Sequence, residues 1–363
     1  MTSTSRRDFI VGAASAASLI MAADSTRAAG SRKPLGVALC GLGSLSTDQI
    51  APALQKTQLC KLTGIVTGTT EKAKRWQAQY GIPAKNVYSY ETFDRMIDNP
   101  DIDIVYVVTP NALHAGHTIK AARAGKHVFC EKPMEISVER CQQMIDECKK
   151  AGRKLGIAYR CQFEPHHLEL IRLAREREFG EVKVIEASFG FAAGDPKQWR
   201  LRKELSGGGA LMDVGIYALQ ACRYIGGEEP IEISAIETKT DPVMFREVDE
   251  SIVWQMRFPS GRLATCSTTY NANGMGRIRA HAQRGWFELD PAFNYTGIRG
   301  RRSDGKAISF PATDHFAVEL DAFARSILED RPFQASGEEG LRDVSIMTSI
   351  YEAARTGRAV KRS

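Results

Sequence analysis

The sequence predicts an N-terminal α/β domain on a doubly wound parallel sheet, followed by a C-terminal domain with a large, open, mostly antiparallel sheet. Three observations support this prediction. From residue 35 to residue 159, apolar strand-like runs alternate with helical stretches, as parallel βαβ units require. After residue 159, short runs of alternating apolar and polar residues are typical of an antiparallel sheet with one solvated face. A chain of 363 residues is also long enough for two domains.

The N-terminal domain is predicted over residues 35–158. Gly81, Gly125 and Gly152 each follow a helical stretch, at the position where a left-handed residue commonly ends a helix. The predicted strands are 35–40, 61–66, 104–108, 127–130 and 155–159, and the predicted helices are 71–80, 115–124 and 137–151.

The second domain is predicted over residues 159–335, with a C-terminal helix and tail over 336–363. Pro259-Ser260-Gly261 separates two strand-like runs and indicates a hairpin turn. A long helix is expected at 164–178, strands at 182–190, 231–238, 251–258, 262–269 and 285–289, and closing helices at 316–328 and 338–355.

Residues 1–28 are predicted to be an export signal rather than part of either domain. Arg6 and Arg7 precede an apolar run at 11–23, and small residues around Ala28 offer a cleavage site. The pattern is typical of a twin-arginine signal, since the run is too short and too rich in Ala and Ser to span a membrane. We therefore expect a periplasmic protein that is exported folded, with the twin-arginine translocase as a transient partner and no stable membrane association. The alternative is a terminal tail with a chance arginine pair.

The composition excludes several classes of protein. The chain is 43% hydrophobic and 25% charged, as globular proteins are, and its net charge of +6 is spread along the sequence, so nucleic-acid binding is not expected. The eight cysteines show no metal-ligand spacing, and several lie in apolar runs where a thiol packs as a small apolar group. We expect free cysteines and no metal site.

A glycine-rich turn follows the first predicted strand and opens a helix. It contains Gly41, Gly43, Ser44 and Leu45, and Ser46 stands where a third glycine is usual. In this position, glycines let the backbone approach a pyrophosphate at a helix N-terminus, which predicts a Rossmann dinucleotide site. An ordinary strand-to-helix turn remains the alternative.

The end of the second predicted strand bears on the choice of dinucleotide. An NAD site usually has an acidic residue there for the ribose hydroxyl, whereas this chain has Thr67 and, five residues later, Lys72. A hydroxyl and a cation suit a 2′-phosphate, so the cofactor is predicted to be NADP. Lys72 as a surface lysine is the alternative.

Two further loops follow predicted parallel strands, at the edge where open α/β sheets bind ligands. Thr109-Pro110-Asn111 follows one strand, and Glu131-Lys132-Pro133 follows the next. Lys132 could reach a nicotinamide and a sugar hydroxyl from there, or it could form an ion pair with Glu131.

Together, four motifs resemble those of the glucose-fructose oxidoreductase, inositol dehydrogenase and MocA family. The resemblance runs from about residue 36 to the end and is strongest to its periplasmic glucose-fructose and aldose-aldose oxidoreductases. The motifs are Gly41-x-Gly43, Thr109-Pro110-Asn111 with His114, Glu131-Lys132-Pro133, and Asp213-x-Gly215-x-Tyr217.

The resemblance implies a sugar site between the two domains, and a homodimer or homotetramer formed through the open sheet of the second domain. It also implies that Lys132 holds the reacting hydroxyl and the nicotinamide ribose, and that Tyr217 is the acid and base. The implied cofactor residues are Gly41, Gly43, Ser44, Leu45, Thr67, Lys72, Thr109, Pro110, Asn111, His114, Glu131 and Lys132.

The chemistry of aldose oxidation suits these residues. Oxidation at C1 sends a hydride to the cofactor while a base takes the hydroxyl proton. A tyrosine is a poor base at neutral pH, but the Lys132 cation would favour the phenolate of Tyr217. Asp213, one helical turn earlier, could orient substrate hydroxyls or merely support the helix. The further sugar-binding candidates, each of which could instead be a domain-interface residue, are Arg160, Trp199 and Arg202.

Export and cofactor together suggest a two-substrate cycle. The periplasm offers no obvious pool of NADP, so a protein that carries NADP out should keep it bound and let a second sugar reoxidise it. We expect ping-pong oxidation of an aldose to an aldonolactone and reduction of an aldose or fructose to an alditol. The short segment between the predicted cleavage site and the first strand weakens the case for tight retention and for a tetramer. Alternatives are an aldose dehydrogenase with dissociable NADP, an NAD-dependent glycosidase, and a non-catalytic sugar-binding protein.

Overall fold

The computed structural model describes residues 33–362, so the predicted export signal at 1–28 lies outside the described residues. The strands are β1 (Leu35–Cys40), β2 (Cys60–Val66), β3 (Val87–Tyr88), β4 (Ile104–Val107), β5 (His127–Glu131), β6 (Leu155–Ala158), β7 (Val182–Gly190), β8 (Glu232–Thr238), β9 (Ser251–Arg257), β10 (Leu263–Thr269), β11 (Met275–Ala282), β12 (Gly285–Leu289), β13 (Gly300–Arg302), β14 (Ala307–Ile308) and β15 (Val360–Lys361). The helices are α1 (Ala51–Leu54), α2 (Thr70–Tyr80), α3 (His114–Arg123), α4 (Val138–Lys150), α5 (Pro165–Arg175), α6 (Lys203–Ser206), α7 (Ile216–Gly226), α8 (His315–Leu328) and α9 (Gly337–Thr356).

The first six strands form one parallel sheet in the order β3-β2-β1-β4-β5-β6. This confirms the predicted doubly wound N-terminal domain. β1 and β4 are almost wholly buried, because helices cover both faces of a parallel sheet and its central strands must be apolar throughout. The sequence analysis did not include β3, which has only two residues.

The remaining nine strands form a second sheet in the order β14-β13-β12-β11-β7-β10-β9-β8-β15. Only the pairing of β7 with β10 is parallel, so the predicted mostly antiparallel sheet is confirmed. The predicted hairpin at 259–261 joins β9 to β10. The sequence analysis missed β11, since arginine, glycine and histidine interrupt its apolar pattern.

Helices cover one face of the second sheet, and the other face is open. Helix α7 packs against β7 and β10, and α9 packs against β8. On the opposite face apolar side chains remain exposed, among them Ile236, Val253 and Leu263. Ile236 and Val253 are directly paired across β8 and β9, so they form part of one continuous apolar surface.

The closing helix α8 returns to the N-terminal sheet. Its Phe323 ring stacks on Phe129 of β5, with the ring centroids 4.9 Å apart. A Cβ on Gly156 of β6 would lie 2.7 Å from the Phe323 ring, so glycine permits the close approach. The carboxylate of Asp321 accepts hydrogen bonds from the backbone amides of residues 58 and 59. The chain connection after β6 is therefore not the only link between the two parts of the molecule, because α8, which follows the second sheet, packs against the first.

Among residues 33–362, no helix is long and apolar enough to cross a membrane, and no group of His, Cys, Asp and Glu side chains could hold a metal ion. All eight cysteines are free.

Candidate active site

The turn after β1 forms a cradle at the edge of the N-terminal sheet. Gly41 has φ +100°, and a Cβ there would lie 2.5 Å from the carbonyl oxygen of Val108, so this position requires glycine. At Gly43 a Cβ would meet no atom within 4 Å, which leaves open space above the turn. Ser46 replaces the third glycine, and its buried hydroxyl donates to the carbonyl oxygen of Gly41 at 2.6 Å. The π-helical segment Ser46–Ile50 follows the turn and continues into α1, so the cradle fits a pyrophosphate at a helix N-terminus.

The NADP-selecting candidates lie beside this cradle. Lys72 donates from Nζ to the carbonyl oxygen of Leu42 at 3.2 Å, so its ammonium lies against the glycine turn. Thr67 accepts from the backbone amide of Thr69 at 3.3 Å and lines the cavity that extends over the glycine turn. Glu71, the acidic residue of this segment, is exposed and does not line the cavity.

His114 and Asn111 hold the loop after β4 in place. His114 is fully buried between the carbonyl oxygens of Thr109, 2.8 Å from Nε2, and Pro133, 3.0 Å from Nδ1. Burial lowers the pKa of this imidazole. Asn111 donates from Nδ2 to the carbonyl oxygen of Ser206 at 2.8 Å. These bonds fix the loop against the loop after β5 and against α6.

Lys132 stands at the centre of the site, next to a cis peptide bond with Pro133. Its Nζ donates to the carbonyl oxygen of Asp213 at 2.6 Å and to the Oδ1 of Asp213 at 3.1 Å. The same ammonium lies 4.8 Å from the centre of the Tyr217 ring. The neighbouring Glu131 accepts from the hydroxyl of Tyr106 at 2.7 Å, and burial raises the pKa of this carboxyl group.

Asp213 is held as a carboxylate between two cations. Its Oδ2 accepts from Nε of Arg200 at 3.0 Å and from the hydroxyl of Tyr270 at 2.8 Å. Burial alone would raise the pKa of Asp213, but the charges of Lys132 and Arg200 outweigh it and keep the pKa well below its usual range. Asp213 therefore orients cations, and it is a poor base.

Tyr217 lies in the first turn of helix α7, and its hydroxyl accepts a hydrogen bond from an arginine. Nε of Arg160 donates to this hydroxyl at 3.2 Å, and the guanidinium lies 4.8 Å from the centres of the Tyr217 and Tyr295 rings. Burial raises the pKa of Tyr217, and Arg160 only partly opposes this. The pKa of Tyr217 is thus raised overall, with Arg160 as the cation that opposes burial, and the predicted effect of Lys132 on this phenol stays a prediction.

Two cavities meet at this cluster. One, of about 680 Å³, extends over the glycine turn, and the other, of about 690 Å³, lies between the two sheets. Both are of the size that proteins use for small ligands. The residues that line both cavities are Ser44, Leu45, Glu131, Lys132, Gln198, Arg200 and Asp213.

All twelve predicted cofactor residues line the cavity over the glycine turn. Of the predicted sugar-binding residues, Arg160, Asp213 and Tyr217 line the second cavity, whereas Trp199 lines only the first. Arg202 lines neither cavity, because its guanidinium pairs with Glu204 at the surface.

The sequence analysis missed Arg200, Tyr270 and Tyr295 as site residues. Arg200 lies within the same short stretch as Trp199 and Arg202, and a 3₁₀ turn at Trp199–Leu201 points it to Asp213. The 3₁₀ turn determines that Arg200, and not Arg202, faces inward. The local sequence has no periodic pattern that predicts this orientation.

A nucleotide cradle that opens onto a chamber with a lysine, a tyrosine and two arginines defines a nicotinamide-dependent oxidoreductase acting on a hydroxyl or carbonyl group. Comparison with known families agrees. Residues 35–159 match a family model described as an oxidoreductase family with an NAD-binding Rossmann fold. Residues 167–288 match the GFO/IDH/MocA C-terminal domain. The chain belongs to the GFO/IDH/MocA family of oxidoreductases.

Individual relatives are sugar enzymes. The chain is 32% identical to a D-xylose 1-dehydrogenase [NADP(+)] of Haloarcula marismortui, over 90% of this chain and 93% of that protein. It is 25% identical to D-glucoside 3-dehydrogenase of Escherichia coli, over 90% of this chain and 97% of that protein. Its fold matches the crystal structure of aldose-aldose oxidoreductase from Caulobacter crescentus complexed with glycerol, with a TM-score of 0.88 and 46% identity over 91% of this chain and 100% of that chain. The protein is a sugar oxidoreductase.

Proposed function

We propose that this protein is a periplasmic oxidoreductase that keeps NADP bound, oxidises an aldose at C1 to the aldonolactone and reduces a second sugar to the alditol. The second sugar is an aldose or fructose. The observation that carries this proposal is the cluster of Lys132, Asp213 and Arg200 at the junction of the two cavities. A group at this junction contacts both the cofactor and the sugar.

Two features support NADP as the cofactor. Thr67 and Lys72 supply a hydroxyl and a cation beside the glycine turn, where an NAD site has a carboxylate. The Haloarcula relative carries the name of an NADP⁺-dependent enzyme.

In the oxidation, the chain's own residues hold the sugar and move one proton. Bound NADP supplies the hydride acceptor. Lys132, fixed by Asp213, donates a hydrogen bond to the C1 hydroxyl. Arg160 stabilises the phenolate of Tyr217, which takes the proton of that hydroxyl and becomes a neutral phenol as the hydride leaves C1. In the reduction, the Tyr217 phenol returns the proton to the acceptor's oxygen.

The raised pKa of Tyr217 sets the direction of the pH dependence. At neutral pH the tyrosine is mostly a phenol, which is ready to donate. Reduction of the acceptor should therefore slow as pH rises into the alkaline range, while oxidation of the aldose should become faster.

The walls of the second cavity suit a sugar. Arg160 and Arg200 offer forked donors for neighbouring hydroxyls, and Phe189 and Tyr295 offer ring faces for C–H groups. This combination of polar donors and aromatic faces binds a polyhydroxylated ligand in one orientation.

Export and assembly complete the proposal. Arg6 and Arg7 precede an apolar run, the pattern of a twin-arginine signal, and a folded protein can carry its cofactor through that route. The exposed apolar surface at Ile236, Val253 and Leu263 supports a homodimer through the open face of the second sheet.

An aldose dehydrogenase that releases NADPH is the competing function, and the name of the Haloarcula relative favours it.

Transfer of deuterium from one sugar to the other tests the proposal. Purified protein receives glucose deuterated at C1 and either xylose or fructose, in one reaction with no cofactor added and in a second with an excess of unlabelled NADPH. We expect an alditol that carries deuterium on the carbon that was the carbonyl, with no deuterium lost to added unlabelled NADPH. If product forms only when NADP is added, or if the label dilutes into the added NADPH, the protein is a dissociable dehydrogenase.

A further inference from the structure

A thiol outside the proposed mechanism lies directly beside the sugar chamber. Cys161 follows Arg160 in the turn between β6 and α5, and it is partly exposed, whereas the other seven cysteines are buried. The thiol lies close enough to the ring of His167 for their charges to interact. Cys161, His167 and Tyr217 line one small cavity of about 20 Å³.

His167 is arranged to act on this thiol. Its Nδ1 lies 2.8 Å from Oε2 of Glu164, and its backbone amide donates to the same oxygen at 3.0 Å. The side chain is only 7% exposed, and Nε2 forms no hydrogen bond with a nitrogen or oxygen atom of the described residues. Cys161, His167 and Glu164 therefore form the nucleophile, base and orienting carboxylate of an activated thiol.

The charges agree with this geometry. Burial would raise the pKa of Cys161, but His167 and Arg160 outweigh it and lower the pKa. Burial would lower the pKa of His167, but Cys161 and Glu164 raise it to about 9. Both shifts favour a thiolate paired with an imidazolium, and the thiolate is the reactive form of a cysteine. Burial instead raises the pKa of cysteines such as Cys40 and Cys141, which are therefore inert.

We propose that Cys161 is a modification site for hydrogen peroxide and small hydroperoxides, and that its oxidation switches the enzyme off. The thiolate sulfur attacks one peroxide oxygen, the O–O bond breaks, and the sulfur becomes a sulfenic acid. The leaving hydroxide takes the proton of the His167 imidazolium and departs as water. Sulfur loses two electrons and the peroxide gains them, so the step needs no other reactant.

The small cavity beside Cys161 limits which oxidants can reach the thiol, and it links oxidation of the thiol to Tyr217. About 10–15 Å³ is enough for one water molecule, so a cavity of about 20 Å³ suits a reagent only slightly larger than water and is far too small for a peptide thiol. Tyr217 and Phe293 form part of the same cavity wall. An oxygen added to the sulfur therefore enters the space beside the ring of Tyr217, whose hydroxyl accepts from Arg160.

The test combines site-specific labelling with activity. Holoenzyme is treated with hydrogen peroxide at pH 7 in the presence of dimedone, which traps sulfenic acids, and the labelled peptides are identified by mass spectrometry. We expect the label on Cys161, with sugar oxidation lost at least ten-fold, and, when dimedone is omitted, recovery of activity with dithiothreitol. Cys161→Ser should keep its activity under peroxide, Cys148→Ser should remain as sensitive as the wild type, and His167→Asn should be oxidised at least ten-fold more slowly.

Absence of the label from Cys161, or equal sensitivity of Cys161→Ser, would overturn the proposal. The labelled site is read on wild-type protein, so the result stands even if a variant fails to fold. It also stands if the protein has no two-sugar activity, since labelling needs no turnover.

Discussion

Replacement of Tyr217 by phenylalanine removes the hydroxyl that we propose carries the proton in both half-reactions. The ring itself should stay in place, because it packs against Phe189 and Phe293 with ring centroids 5.5 and 5.7 Å away. Arg160 loses one acceptor but keeps its bond from Nη2 to the carbonyl oxygen of Phe293 at 2.6 Å. The variant should therefore fold, with a stability loss of about 1–2 kcal/mol for the lost hydrogen bond.

The expected effect on the rate is much larger. General acid and base catalysis contributes about 10²–10⁴-fold, which corresponds to about 3–5 kcal/mol of transition-state stabilisation. The hydroxyl of Tyr217 acts on the transferred proton in the transition state. Its removal should therefore lower kcat and leave KM for the sugar nearly unchanged.

Tyr295→Phe is the matched control for this variant. Its ring lies under the same Arg160 guanidinium, at the same 4.8 Å, and lines the same cavity. Single-turnover reduction of bound NADP by glucose, followed by nicotinamide absorbance, compares the two variants. We expect less than a ten-fold loss for Tyr295→Phe. A loss of less than ten-fold for Tyr217→Phe, or a rise in oxidation rate with pH that survives in it, would refute the role of the phenol.

Three further predictions concern charge. Asp213→Asn leaves the cations Lys132 and Arg200 facing each other, and chemical denaturation should show a loss of about 2–3 kcal/mol at pH 7, together with a fall in kcat. Lys72→Ala should weaken NADP binding about ten-fold or more, or about 1.4 kcal/mol, and leave NAD binding unchanged, as measured by titration of cofactor-free protein. Glu319 is fully buried with no hydrogen-bond partner among the described residues, and burial raises its pKa well above the usual range. Protonation is therefore favoured in the folded state, and stability falls as pH rises above about 4.3, where the unfolded chain ionises. Glu319→Gln should stabilise the protein at pH 7 by about 1–3 kcal/mol, with the gain shrinking towards pH 4 in pH-dependent thermal unfolding.

The parts of the fold that the sequence predicts well are those with strong local patterns. β1 is buried along almost its whole length and is followed at once by Gly41 and Gly43, so both the strand and the cofactor turn were evident. β11 was missed because the buried side of its alternating pattern holds only Ile278 and the small Ala280, which is a weak apolar signal.

The site was predicted only as far as motifs and local spacing extend. The cofactor residues follow strands of one sheet, so their convergence follows from topology. Arg200 and Tyr270 are brought to Asp213 by tertiary folding from separate segments, and no local pattern signals this. The pKa of Tyr217 depends on burial and on which cation its hydroxyl meets, and both are properties of the packed structure.

The most direct test of the central claim is the near-ultraviolet absorbance of the purified mature protein with no cofactor added, recorded before and after glucose and again after a second sugar. The account predicts that glucose produces the band of reduced nicotinamide on the protein, and that xylose or fructose then removes it. No change with either sugar until NADP is supplied would contradict a bound cofactor that two sugars reduce and reoxidise in turn.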